Sequence, residues 1–112
     1  MKLATIAVAT LLGFATACSE STGVSGDPAV ARGRHVYLGI CTACHNADPA
    51  KDAAAGPAIT GSSRELLEAR VLRGEYPPGY APKRPSQLMP RFPQLEGEID
   101  ALHAFLNADA QR

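Results

Sequence analysis

The chain has 112 residues, with 11 Lys+Arg against 11 Asp+Glu for a formal net charge of zero, and is 46% hydrophobic but only 5% aromatic, without tryptophan. Balanced charge implies no nucleic-acid role and no general attraction to an anionic membrane surface. The length allows one small domain with a modest core, too poor in aromatic residues to be large.

Met1-Lys2 followed by the apolar run from Leu3 to Ala17 is a short basic start and a stretch of small and aliphatic residues. It is shorter than the roughly 20 residues of a membrane span and fits an export signal. Residues 1–17 are therefore expected to be a signal peptide. Two readings of its end compete. Ala15-Thr16-Ala17 is an Ala-x-Ala site that would leave Cys18 as a free first residue, whereas Ala17-Cys18 resembles the end of a bacterial lipobox, in which the cysteine is acylated. Lipidation is favoured because it gives the unpaired thiol a use. Ser19 behind it then resembles the pattern of lipoproteins sent on to the outer membrane. Both readings imply export to the periplasm, with membrane contact only through a lipid at Cys18. Residues 18–26 read as a flexible tether, and 27–112 as a single domain.

The domain shows no useful strand-period alternation and is expected to be all-α. Asp27-Pro28 starts the first helix, Asp as N-cap and Pro at the first helical position. Val30, Gly33, Tyr37 and Ile40 form one face; Gly33 costs about 1 kcal/mol relative to Ala, which close approach of another helix would offset. A second helix is expected over Ser63 to Arg73, with Ser62 and Glu65 as a Ser-x-x-Glu capping box and Gly74 as its stop. A stretch holding Pro77, Pro78, Pro82, Pro85, Pro90 and Pro93 can be neither helix nor central strand. The last helix covers Glu96 to Asn107, with Leu95, Ile99, Leu102, Phe105 and Leu106 on one side, and Phe105 is the candidate to fill the notch above Gly33.

Between the first two helices, Cys41-Thr42-Ala43-Cys44-His45 spells Cys-x-x-Cys-His, the attachment sequence of c-type haem. Thiols two residues apart on one turn can both reach the haem vinyl groups, and the next imidazole lies under the iron. Cys-x-x-Cys alone also occurs in zinc sites and thiol–disulfide proteins. A structural zinc site normally needs four protein ligands, and no second Cys pair is present; a thioredoxin-like site needs a βαβ context that the chain lacks. A buried haem would also supply apolar surface that the short chain does not.

In order, the Gly33 and Tyr37 helix, Cys41-x-x-Cys44-His45, Gly56-Pro57, a middle helix, Met89-Pro90 and a final helix ending in Phe105-Leu106 resemble the class I cytochrome c family over nearly all of residues 29–107. The resemblance implies a small cytochrome c-like domain of three main helices and loops wrapped around one haem c. It makes Cys41 and Cys44 the attachment thiols, His45 the proximal iron ligand and Met89 the distal one. It also makes the Pro57 carbonyl the acceptor of the proximal imidazole. His35 and His103 are weighed as ligands and read instead as surface residues. Tyr76 and Tyr80, with Arg70, Arg73, Lys83 and Arg84, are candidates to neutralise the haem propionates, each with solvated surface as its blander reading.

The implied function is a monohaem single-electron carrier, not an enzyme in its own right, serving as a partner or subunit of an oxidoreductase. Arg64, Arg70, Arg73, Lys83, Arg84 and Arg91 against Glu65, Glu68 and Glu75 suggest redox partners with acidic docking faces. The alternatives are a haem-based sensor or peroxidase-like protein with a displaceable distal ligand, and a lipid-anchored thiol–disulfide protein using Cys41 and Cys44.

Overall fold

A computed structural model describes residues 26–111. The signal segment, Cys18 and all but the last residue of the tether lie outside the described residues. Among the described residues the chain is helical, with three α-helices, shorter helical turns and no strand. No described helix is long and apolar enough to cross a membrane.

Helix α1 spans Pro28–Ile40. The Asp27 carboxylate accepts the Ala29 N–H at 2.8 Å and Pro28 occupies the first turn, where its missing donor costs nothing. The buried stripe is Gly33, Val36 and Tyr37, with Val30 and Ile40 only half-buried. It keeps Gly33 and Tyr37 of the expected face, adds Val36, and is narrower at both ends.

The last helix crosses α1 in a backbone contact. A Cβ on Gly33 would stand 1.9 Å from the Ala101 carbonyl oxygen and 2.8 Å from the Phe105 Cβ. Phe105 thus lies at the notch as expected, through its Cβ, and the Ala101 carbonyl enters more deeply still; Ala101 is small enough for the main chain itself to enter. The Phe105 ring packs instead beside Tyr37, with ring centroids 5.4 Å apart.

Helix α2 begins at Arg64, and the cap is Ser63, whose Oγ accepts the Leu66 N–H at 3.1 Å. The expected Ser62–Glu65 box does not form, since the Ser62 hydroxyl donates to the Ile59 carbonyl at 2.6 Å. Regular α-helix holds only over Arg64–Leu67 and widens into a π-helical stretch, Glu68–Arg73. Gly74 ends it in the left-handed region at φ 70°, and the Glu75 N–H reaches back to the Ala69 carbonyl at 2.9 Å. Gly74 is thus the stop that the sequence suggests.

The last helix is shorter than expected: α3 spans Ile99–Leu106, preceded by a 3-10 stretch over Pro93–Glu98. Gly97, which favours a regular α-helix least after proline, lies in the segment that departs from it. Pro93, expected in a non-helical run, opens this turn, where proline needs no donor.

The core is Val36, Tyr37, Leu67, Val71, Leu95, Ile99, Leu102 and Leu106, with Met89, Phe92 and Phe105 packed at its edge. Arg32 of α1 pairs with Glu98, and Arg64 with Glu68 and Asp100. The loop before α2 is tied to the end of α3 by the Gly61 N–H on the Leu106 carbonyl and Asn107 Nδ2 on the Ser62 carbonyl, each at 2.9 Å. Together the α1–α3 pair and the α2 arm leave an open-sided cavity, across which the proline-rich loop lies.

Candidate functional site

The end of α1 builds the first wall. After Ile40 the chain tightens into a 3-10 turn, Cys41–Ala43, and the His45 N–H bonds to the Cys41 carbonyl at 2.9 Å. This keeps Cys41, Cys44 and His45 on one compact turn, and all three line a cavity of about 220 Å³. Cys41 is half-buried and Cys44 exposed. Burial pushes the Cys41 thiol up to about 11.

His45 is set by its neighbours. Its Nδ1–H donates to the Pro57 carbonyl at 3.0 Å, which leaves Nε2 as the nitrogen free for another partner. Gly56 allows the approach, since a Cβ there would stand 2.8 Å from the imidazole. Tyr37 contributes from below: fully buried, its hydroxyl donates to the Asn46 carbonyl just past the histidine. Burial, then the neighbouring Cys41 and Asp48, push its phenol up to about 12. Sequence reasoning assigned Tyr37 only to packing. The available signal was the choice of tyrosine over phenylalanine on a buried face, which calls for a partner for the hydroxyl.

The proline-rich loop supplies a further part of the lining. Met89 lines the same cavity and packs against the core edge beside Phe92 and Pro90. The loop is held across the cavity by Lys83 Nζ on the Ala58 carbonyl at 2.6 Å and Arg84 Nη1 on the Ala54 carbonyl at 3.0 Å. Arg84 also lies 3.7 Å from Asp52. These two cations, considered from sequence for the propionates, are thus engaged in strapping the loop. Leu88, next to Met89, is 80% exposed.

The remaining lining is mostly apolar, drawn from Ile40, Ile59, Leu67, Val71 and Leu102 among others. Arg70, Tyr76 and Tyr80 also face it, whereas His35 and His103 are not among its lining residues. Of the basic stretch, Arg64 and Arg73 are paired with carboxylates. Among the described residues no group of three or more His, Cys, Asp or Glu side chains could hold a metal ion by itself.

The donor set fits the group implied by the sequence. Two thiols, an imidazole engaged only through Nδ1 and a thioether line one cavity, and the rest of its lining is mostly apolar. Comparison with protein-family models, with curated proteins and with solved structures finds no match for this chain.

Proposed function

We propose that this protein is a single-electron carrier of the class I cytochrome c type, holding one haem c through Cys41 and Cys44, with His45 and Met89 as axial ligands. The observation that carries this reading is the convergence of Cys41, Cys44, His45 and Met89 on one apolar cavity. When bound, the haem supplies reversible one-electron chemistry. The chain's own part is to orient and exclude. The Pro57 carbonyl holds the His45 ring through Nδ1, leaves Nε2 to serve as the ligand, and would raise its basicity in that role. The Met89 thioether favours the ferrous state and so raises the reduction potential. If His45 and Met89 both held the iron, no coordination site would remain open for a substrate.

Three further proposals accompany this reading. The protein is exported to the periplasm, with a lipid at Cys18 as its only attachment to the outer membrane. It acts as partner or subunit of an oxidoreductase rather than as an enzyme. Its redox partners present acidic faces to Lys83, Arg84 and Arg91.

The other two readings find less support. Among the described residues lining the cavity His45 is the only histidine, so a peroxidase-like site would lack a distal acid–base imidazole. Catalytic Cys-x-x-Cys thiols depend on a depressed pKa, whereas Cys41 is pushed up.

The test is a spectroelectrochemical titration of the protein matured in a host that attaches c-type haem. One reversible one-electron transition with unchanged ligation in both states is expected. Absence of haem, or a change of ligation on reduction, would overturn the reading.

A further inference from the structure

The Pro57 carbonyl that holds His45 and the Ala58 N–H are the two ends of one planar peptide unit. The carbonyl end accepts the His45 Nδ1–H at 3.0 Å. The N–H end donates to the Asp52 carboxylate at 2.8 Å. A single peptide therefore stands between a charged acceptor and the imidazole. Among the described residues no Asp or Glu lines the cavity, Asp52 included. Its contact with the site runs through this peptide.

The surrounding loop places the carboxylate. Asn46, next after His45, donates from Nδ2 to the Asp52 carbonyl at 3.3 Å, and its own carbonyl is held by the buried Tyr37 hydroxyl. The Ala53 N–H on the Gly56 carbonyl, at 2.9 Å, folds the chain back between Asp52 and Pro57. Lys83 fixes the far side of Ala58 through that residue's carbonyl. Arg84 lies 3.7 Å from the Asp52 carboxylate, too far for a hydrogen bond, and the Asp52 side chain is 73% exposed. Such a pair is weak and leaves the carboxylate's charge available to the Ala58 N–H.

We propose that Asp52 tunes His45 as an iron ligand through the Pro57–Ala58 peptide. This inference rests on the function proposed above. An ionised acceptor on a peptide N–H shifts electron density onto the carbonyl oxygen of the same unit, which then holds the imidazole N–H more strongly. Polarisation along such a chain strengthens each hydrogen bond by roughly 10–30%. A firmer hold on the Nδ1 proton makes Nε2 more basic, and a more basic ligand favours ferric iron. No proton changes its atom in this arrangement. Asp52 touches neither axial ligand and is a positioning residue; it acts at one peptide's remove as a carboxylate bonded directly to a ligating histidine does.

The test compares the haem-loaded wild type with Asp52→Asn and Asp48→Asn. Asparagine keeps the size of Asp52 and a neutral acceptor for the Ala58 N–H, so the loop stays closed and only the charge is lost. Asp48 lies in the same loop and is also exposed, but its carboxylate accepts the Ala50 N–H instead. Potentials are taken at about 1 M salt, where a Debye length of about 3 Å suppresses the effect of exposed charges through solvent. Asp52→Asn is expected to have a higher potential than wild type, and Asp48→Asn to match wild type. In the ferrous protein the His45 Nδ1–H proton resonance should move upfield in Asp52→Asn alone. A potential or a proton resonance unchanged in Asp52→Asn, or shifted equally in Asp48→Asn, would overturn the proposal. A wild type that takes up no haem would instead remove the functional reading, and this inference with it, so the two failures are distinguishable.

Discussion

The Nδ1–H of His45 donates to the Pro57 carbonyl at 3.0 Å, and the backbone that carries this acceptor passes so close that Gly56 has no room for a Cβ. Local sequence thereby sets the free nitrogen of the ring. Gly56 is needed for the close approach, and Pro57 supplies the acceptor whose position the approach determines.

Gly56→Ala should therefore act through the histidine. The added methyl would lie 2.8 Å from the imidazole, so ring or loop must shift at a cost of about 1–3 kcal/mol. A weakened axial ligand field is expected, read as an altered low-spin electron paramagnetic resonance signal in the oxidised protein. An unchanged signal would show that the ring's position does not depend on this contact.

Gly33→Ala tests the helix crossing. The new Cβ would sit 1.9 Å from the Ala101 carbonyl oxygen, a backbone atom that moves only with α3. The gain of about 1 kcal/mol in helix propensity cannot offset this. A loss of about 3 kcal/mol is expected, seen as a fall in melting temperature of more than about 10 °C in thermal denaturation.

The Lys83 and Arg84 straps hold the loop that carries Met89. Replacing both by Ala removes two hydrogen bonds worth roughly 0.5–1.5 kcal/mol each and leaves the core intact. Met89 should then be released roughly tenfold more often, so that carbon monoxide, to which the wild type is indifferent on the same timescale, binds the ferrous variant at a measurable rate. Stopped-flow kinetics would check this, and an unchanged rate would show that the straps do not restrain the ligand.

The Arg32–Glu98 pair gives a pH dependence. Hydrogen bonding and charge from Arg32 hold the Glu98 carboxyl below its ordinary value of 4.5. Its stabilisation is therefore present above that value and is lost as pH falls through the lower, folded value. Glu98→Gln should lower stability slightly at neutral pH, where the pair is intact, and so flatten the acid limb of a denaturation series, the variant converging with wild type as pH falls below about 4.5.

Helix existence was legible in the sequence because local signals carried it. Asp27-Pro28 and Gly74 mark their ends as the residue chemistry dictates. Interior geometry was less legible. The π-helical widening at Glu68–Arg73 and the choice of Ser63 over Ser62 as cap depend on tertiary partners that no local pattern encodes. The same holds for Gly33, where spacing pointed to a close approach but not to the Ala101 carbonyl. At the site, Cys41, Cys44, His45, Pro57 and Met89 could all be singled out by residue type and order, and they line one cavity. What charge counting could not separate were the roles of the cations. Lys83 and Arg84 tie the exposed loop to distant backbone, whereas Arg70 is buried and bonds to the nearby Gly74 carbonyl with no ion pair among the described residues, a difference visible only in three dimensions.

The central claim, a haem carried between His45 and Met89, is tested most directly by absorption spectra of the matured protein, oxidised, reduced, and reduced under carbon monoxide. The account predicts a six-coordinate low-spin haem with a far-red thioether–iron band in the oxidised state, indifferent to carbon monoxide, and loss of that band with rapid carbon monoxide binding in Met89→Ala. A high-spin or carbon-monoxide-reactive wild type, or a colourless one, would contradict it.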